Sequence, residues 1–185
     1  MPCLTRRRLA AIFPAAFGAA ALATPARAAT RAEIDAEVQA AMVRLRSMPQ
    51  AAPLFAQARS VLIFPRIIQG GFIVGGQYGE GAAMQGGRTV GYYSIAGASF
   101  GLLAGAQASG LAMFFMTDEA MAALMAAEGW EIGTGPSVVV LDRGVQANVT
   151  ATTLREPVYA ITFNQQGLMA ALALNGTKIS RLEPR

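Results

Sequence analysis

Apolar positions along the chain change period, and each period predicts a different element. Ile34, Val38, Met42 and Leu45 recur at helical spacing on one face. Thr30 and Glu33 stand at capping-box spacing just before them. A helix is therefore expected from Thr30 to about Arg46, ended before Pro49. Its charges are mixed (Glu33, Asp35 and Glu37 ahead of Arg44 and Arg46), which points to packing against a domain rather than insertion into a membrane. A second short helix is expected near Pro53, leading into a strand at Val61–Phe64.

From there the pattern shortens. Phe64-Pro65-Arg66 is expected to break the first strand. Phe72–Val74, Gly81–Met84, Val90–Ile95, Phe100–Ala104 and Leu111–Phe115 follow as short β-branched and aromatic runs. Gly86-Gly87 has the composition of a two-residue hairpin turn. Thr117 reads as an N-cap, with Asp118 and Glu119 in the first turn of a helix to about Glu128 and Gly129 closing it. Val138–Leu141 reads as a strand and Asp142-Arg143-Gly144 as a turn. Val158–Phe163 and Leu168–Leu174 read as a closing hairpin.

Thirteen of the twenty glycines lie between Gly70 and Gly110. A glycine costs about 1 kcal/mol relative to alanine in a helix interior, so this stretch reads as strands that bend or bulge at glycine. The expected fold is α+β: an antiparallel sheet bent strongly enough to approach a barrel, flanked by helices.

The first 28 residues carry an export leader. Arg6, Arg7 and Arg8 precede the apolar run Leu9–Ala23, and Ala26-Arg27-Ala28 fits a small-x-small cleavage site, giving Ala29 as the mature N-terminus. Thr5-Arg6-Arg7-Arg8-Leu9 also resembles the twin-arginine export pattern. Residues 29–185 then form one domain, with a periplasmic or otherwise exported location. Removing the leader changes the charge balance from +4 to zero, since it takes away four of the fifteen basic residues and no acid. A general basic field for nucleic acid is thereby excluded. It also removes Cys3, the single cysteine, so the mature chain forms no disulfide. A local excess survives from Val38 to Thr117, where Arg44, Arg46, Arg59, Arg66 and Arg88 face the single acid Glu80.

Candidate chemistry is sparse. Gly97-Ala98-Ser99-Phe100-Gly101 fits the G-x-S-x-G hydrolase pattern, but the chain has no histidine to activate Ser99. Gly97, Gly101 and Gly105 match the small-xxx-small spacing of membrane helix pairs, and the glycine density with Ser94, Ser99, Gln107 and Ser109 favours strands there instead. Gly76-x-x-Gly79-x-Gly81 runs the wrong way for a dinucleotide fingerprint. Without histidine or a mature cysteine, no zinc site is expected, and no cofactor is indicated. An enzyme would need an unrecognised carboxylate pair such as Glu80 with Asp118, so a binding module is the default.

Residues Arg59 to Gly135 resemble the SYLF domain, a lipid-binding family. The matching pieces are Ala58-Arg59-Ser60-Val61-Leu62-Ile63-Phe64-Pro65-Arg66, Gly75-Gly76-Gln77-Tyr78-Gly79-Glu80-Gly81 and Gly91-Tyr92-Tyr93. They continue with Gly97-Ala98-Ser99-Phe100-Gly101, Phe115-Met116-Thr117-Asp118-Glu119-Ala120 and Gly129-Trp130. Tyr159 to Lys178 is similar to the family's C-terminal segment. The resemblance implies phospholipid binding. Family members that bind phosphoinositides and actin do so beside other modules and without a bacterial-type leader, so a bacterial anionic phospholipid or membrane surface is the expected partner here, and actin is not.

Arg59, Arg66 and Arg88 are the candidate headgroup ligands, because guanidinium makes bidentate contacts to phosphate. Phe64, Phe72 and Trp130 are the candidates for apolar or interfacial contact. The competing expectation is a structural or envelope interaction protein that pairs with another chain through a glycine-rich sheet edge.

Overall fold

The computed structural model describes residues 29–71, 74–100, 105–127, 129–132, 137–141, 154–166 and 176–185. Helix α1 spans Arg31–Arg46, and its capping box is complete: the Glu33 amide donates to Thr30 Oγ1 and the Thr30 amide to Glu33 Oε2. A 3-10 turn at Pro49–Ala51 leads into the short helix α2, Ala52–Gln57. The strands are β1 Ser60–Gly71, β2 Val74–Gln85, β3 Arg88–Phe100 and β4 Gly105–Phe115. Helix α3 follows at Asp118–Ala126, capped by Thr117. The remaining strands are β5 Trp130–Glu131, β6 Val138–Leu141, β7 Val158–Gln166 and β8 Thr177–Leu182.

These strands form one curled sheet in the order β5-β8-β3-β2-β1-β4-β7-β6. The expected α+β class with a strongly bent sheet is what the chain adopts. Every described pair is antiparallel except β6 with β7, which is parallel. That exception arises because a connection of more than a dozen residues, 142–157, returns the chain to start β7 beside the start of β6. The Gly86-Gly87 turn joins β2 to β3 with φ of 58° and 80°, the two positive values that a type I′ hairpin requires.

Phe64-Pro65-Arg66 does not end the first strand. It is a bulge inside it, where the register with β2 shifts between Ile63 and Arg66. Before the bulge, Leu62 and Phe64 face the core beneath α3, while Val61 and Ile63 face the core beneath α1 and α2. Strict alternation would then send Arg66 into the α3 core. One extra residue reverses the parity, so Ile67 is buried there and Arg66 is exposed. Gly81 makes room for this, since a Cβ on it would overlap the Ile63 carbonyl oxygen and lie 2.8 Å from the Phe64 ring.

The sheet therefore separates two cores. On one side α3 packs Ala120, Met121 and Leu124 over Leu62, Phe64, Ile67, Met113 and Phe115. On the other, Ile34, Val38, Met42 and Leu45 of α1 cover Ile63, Ala82, Met84 and Phe114. The strand expectations fare differently from one another. Val90–Ile95 and Leu111–Phe115 are segments of longer strands. The Leu168–Leu174 strand and the turn at 142–144 lie outside the described residues, as do Phe72 and the stretch 101–104. Strand β8, which pairs with β3 from Gly97↔Thr177 to Tyr92↔Leu182, is not among the elements the sequence pattern predicts.

Candidate functional site: a basic cleft between the helices and the hairpin

The turn following β2, the end of α1 and the start of β1 enclose a cleft of about 280 Å³. Its lining comes from Gln39, Met42, Val43 and Arg46 of α1, from Phe55 of α2, from Ala58 to Val61, and from Met84, Gly86 and Gly87. Two arginines and no acid contribute. Arg46 stands with its guanidinium carbon 5.8 Å from the centre of the Phe55 ring, and Phe55 in turn meets Phe114 edge-on at 4.9 Å. The charge is thus seated on an aromatic stack rooted in the core, a geometry that restricts the side chain and leaves its outer N–H groups free to donate. Arg59 is exposed beside it, and its backbone is fixed by the Arg59 N–H donating to the Phe115 carbonyl at 2.8 Å.

Ser60 does not bring its side chain into the cleft. Its hydroxyl is buried, with the residue 2% exposed, yet Ser60 Oγ has no hydrogen-bond partner. An unmatched buried hydroxyl costs roughly 1–3 kcal/mol, and this one faces the α3 core on the same side of the sheet as its cross-strand partner Phe115. The floor is apolar: Met42, Val61 and Met84 all belong to the core under α1. Guanidinium donors above an aliphatic floor suit an anionic oxygen cluster that has an apolar neighbour.

The acids of α1 are directed elsewhere. Glu33 completes the helix cap. Asp35 accepts from the Thr89 and Tyr92 hydroxyls of β3 at 3.1 and 2.9 Å, fixing α1 onto the sheet. Burial and that carboxylate together push the Tyr92 phenol up. The face of α1 that lines the cleft is left with Gln39 and Arg46 as its polar members.

Arg59 is thus in the cleft, and Arg88, exposed, follows Gly87 directly at the hairpin end. Arg66 is not with them. It sits beyond the bulge, about 20 Å along β1 at a strand rise of about 3.3 Å per residue, where it lines a separate cleft with Pro65, Ala108, Ser109 and Asn164. Arg46 is a site residue that the sequence pattern does not single out. The available signal is its place in the last turn of a capped helix ending close to Arg59.

The aromatic candidates are corrected by their burial. Phe64 is fully buried, and Trp130 is 5% exposed, with its ring 6.0 Å from that of Phe115. Both complete the core beneath α3, because strand alternation points them inward. Phe72 lies outside the described residues. Trp130 Nε1 has no hydrogen-bond partner, so the indole serves as bulk there.

The other expectations can be placed as well. The glycine-rich strands β2 and β3 are interior to the sheet, and among the described residues the edges are the short β5 and β6, so glycine-rich edge pairing does not describe these strands. Glu80 and Asp118 belong to opposite sides of it and form no pair. Among the described residues no group of His, Cys, Asp and Glu is arranged to hold a metal, and no helix is long and apolar enough to cross a membrane.

Residues 96–183 match the family model for Ysc84, described as Las17-binding protein actin regulator. The matched segment runs from the second half of β3 through β8, whereas the cleft is built from residues ahead of it. No curated protein matches the chain.

Proposed function

We propose, from the match of residues 96–183 to the Ysc84 family model that identifies a SYLF domain, that the protein is an exported, peripheral binder of anionic phospholipid, acting by binding rather than turnover. The observation that carries this reading is the cleft at Arg46 and Arg59, with Arg88 beside it. Its volume of about 280 Å³ lies at the low end for ligand sites, room for a phosphate-bearing headgroup and not for acyl chains. The chains of the lipid therefore remain in the bilayer while the headgroup is held. Arg46 and Arg59 take the phosphate oxygens, and Arg88 adds attraction to the surface.

Vesicle flotation of the processed protein tests this. Each basic side chain near an anionic surface is worth about 1 kcal/mol, so the Arg46→Gln/Arg59→Gln/Arg88→Gln triple variant should bind anionic vesicles about a hundredfold more weakly. Added salt should narrow the gap. Arg66→Gln alone should have a much smaller effect. Equal binding by a folded triple variant would reject the cleft as the headgroup site. A parallel sedimentation with actin filaments addresses the activity named in the family's description, and filament binding without vesicle binding would replace the lipid reading.

A further inference from the structure

The start of the described chain is held by the sheet. Ala29 N donates to Glu80 Oε2 at 3.2 Å, and the other oxygen of that carboxylate accepts the Tyr78 hydroxyl at 2.8 Å. One residue on, Thr30 is the N-cap of α1 and bonds to Glu33. Arg31 ties the same end to the C-terminus, its backbone N–H donating to the Arg185 carbonyl and its Nε to the Pro184 carbonyl. Glu80 is the only acid between Val38 and Thr117, and it stands opposite the nitrogen that the Ala26-Arg27-Ala28 pattern marks as the new terminus.

We propose that the Ala28–Ala29 peptide bond is a processing site whose product, the Ala29 α-ammonium, is bound by Glu80 as a structural ion pair. This rests on the leader pattern and is independent of the lipid cleft. A leader peptidase adds one water across the bond. The departing leader takes a carboxylate, and Ala29 keeps an amine that is protonated at neutral pH. In the uncut chain the same nitrogen is a neutral amide, and its bond to Glu80 is charged on the acceptor alone.

Cutting makes the carboxylate necessary. A positive charge beside the N-terminus of α1 opposes the helix macrodipole, so an unpaired ammonium there would loosen the first turn of the helix that walls the cleft. Glu80 offsets that effect, and cutting turns a hydrogen bond charged on its acceptor alone into an ion pair. A cut one residue to either side would put the amine out of register with Glu80.

The chain has a single lysine, Lys178, so an amine-directed acylating reagent has two targets that peptide mass spectrometry separates cleanly. The protein exported and processed by its own cells should begin at Ala29; any other terminus overturns the proposal without touching lipid binding. Acylation of the Ala29 amine should be at least roughly five-fold slower in the folded protein than in urea, with Lys178 as the internal reference. Blocking that amine should shift the unfolding equilibrium about five-fold toward the unfolded state, the upper range for a partly exposed pair. In Glu80→Gln the shift should vanish or reverse, because blocking then removes an unpaired positive charge from the helix N-terminus. An equal shift in both backgrounds would overturn the ion pair. If Glu80→Gln does not fold, the acylation rates of the wild-type protein decide, and equal folded and unfolded rates overturn it.

Discussion

Strands β1 to β4 have two halves that are built alike in sequence and treated differently by the fold. In the half nearest the β2–β3 turn, both faces are covered. Val61, Ile63, Ala82, Met84, Ala112 and Phe114 lie under the helices α1 and α2, and Leu62, Leu111, Met113 and Phe115 lie under α3. Beyond the bulge at Pro65 no described helix covers the α1 side. Ile68 and Tyr78 are each 50% exposed there, among Gly76, Ala96 and Ala98. On the α3 side of this half the apolar core stops at a row of polar side chains. Gln107 Nε2 donates to Gln69 Oε1 at 3.1 Å, Gln69 Nε2 to Gln77 Oε1 at 3.0 Å, and Gln77 Nε2 to Thr177 Oγ1 at 2.6 Å. The difference teaches that helix coverage, and not strand hydrophobicity, decides which face of these strands becomes core.

The bulge divides the two halves, and its glycine gives the largest effect that tests the division. Gly81→Ala places a methyl group against the Ile63 carbonyl and the Phe64 ring, neither able to withdraw, and should cost about 2–4 kcal/mol. Gly70 lies in the open half, and a Cβ on it would meet nothing within 4 Å. Gly70→Ala should be neutral or stabilise by up to about 1 kcal/mol, through the lower entropy of the unfolded chain. Urea midpoints of the two variants measure this directly. Similar losses for both would mean that the halves are not packed differently.

A smaller effect sharpens the polar side of the comparison. Gln77→Leu removes the middle of the ladder, breaking its bonds to Gln69 and Thr177 where both partners are buried. The expected loss is about 1–3 kcal/mol. Gln107, the half-buried end member, should cost about 0.5–1.5 kcal/mol when replaced by leucine, because solvent compensates. If Gln77→Leu instead stabilises, the row is a tolerated defect and the α3 core extends past it.

How much of this is legible in the sequence depends on how local each signal is. The capping box at Thr30 and Glu33, the Thr117 cap and the Gly86-Gly87 turn involve neighbours along the chain, and all are legible. The strands look too short in the sequence because Gly70, Gly76, Gly79 and Gly97 resemble breaks, whereas each sits inside a continuous ladder. Strand β8 carries an alternating Thr177, Ile179 pattern, which the more apolar 168–174 run beside it outweighs. Arg59 is legible as a candidate. Its partnership with Arg46 depends on where α1 crosses the sheet, a long-range contact with no local trace. The burial of Phe64 and the exposure of Arg66 both hinge on the parity change at Pro65, which a proline marks as a disturbance without saying which residue is the extra one.

The smallest effect concerns Tyr78, the one phenol of the open half and a partner of Glu80. Desolvation is the larger cause, followed by the hydrogen bond to Glu80 and its negative charge, and together they push the Tyr78 phenol up from 10.0 to about 12. The folded state therefore holds this proton after the unfolded chain has lost it. Such a group contributes stability that is complete below pH about 10, the unfolded value, and is lost as pH rises toward about 12. Because Tyr78 is half exposed, solvent screening keeps the contribution small. Tyr92 and Tyr93 are also raised and contribute to the same alkaline limb, so wild type alone does not isolate it. Tyr78→Phe deletes the titrating group and leaves the ring. The difference in tyrosinate absorbance between wild type and Tyr78→Phe, followed with pH while circular dichroism monitors the fold, should titrate near pH 12. The variant's stability should also fall less steeply between pH about 10 and about 12. A difference titration centred at the ordinary phenol value would mean that Tyr78 is neither desolvated nor bonded to Glu80.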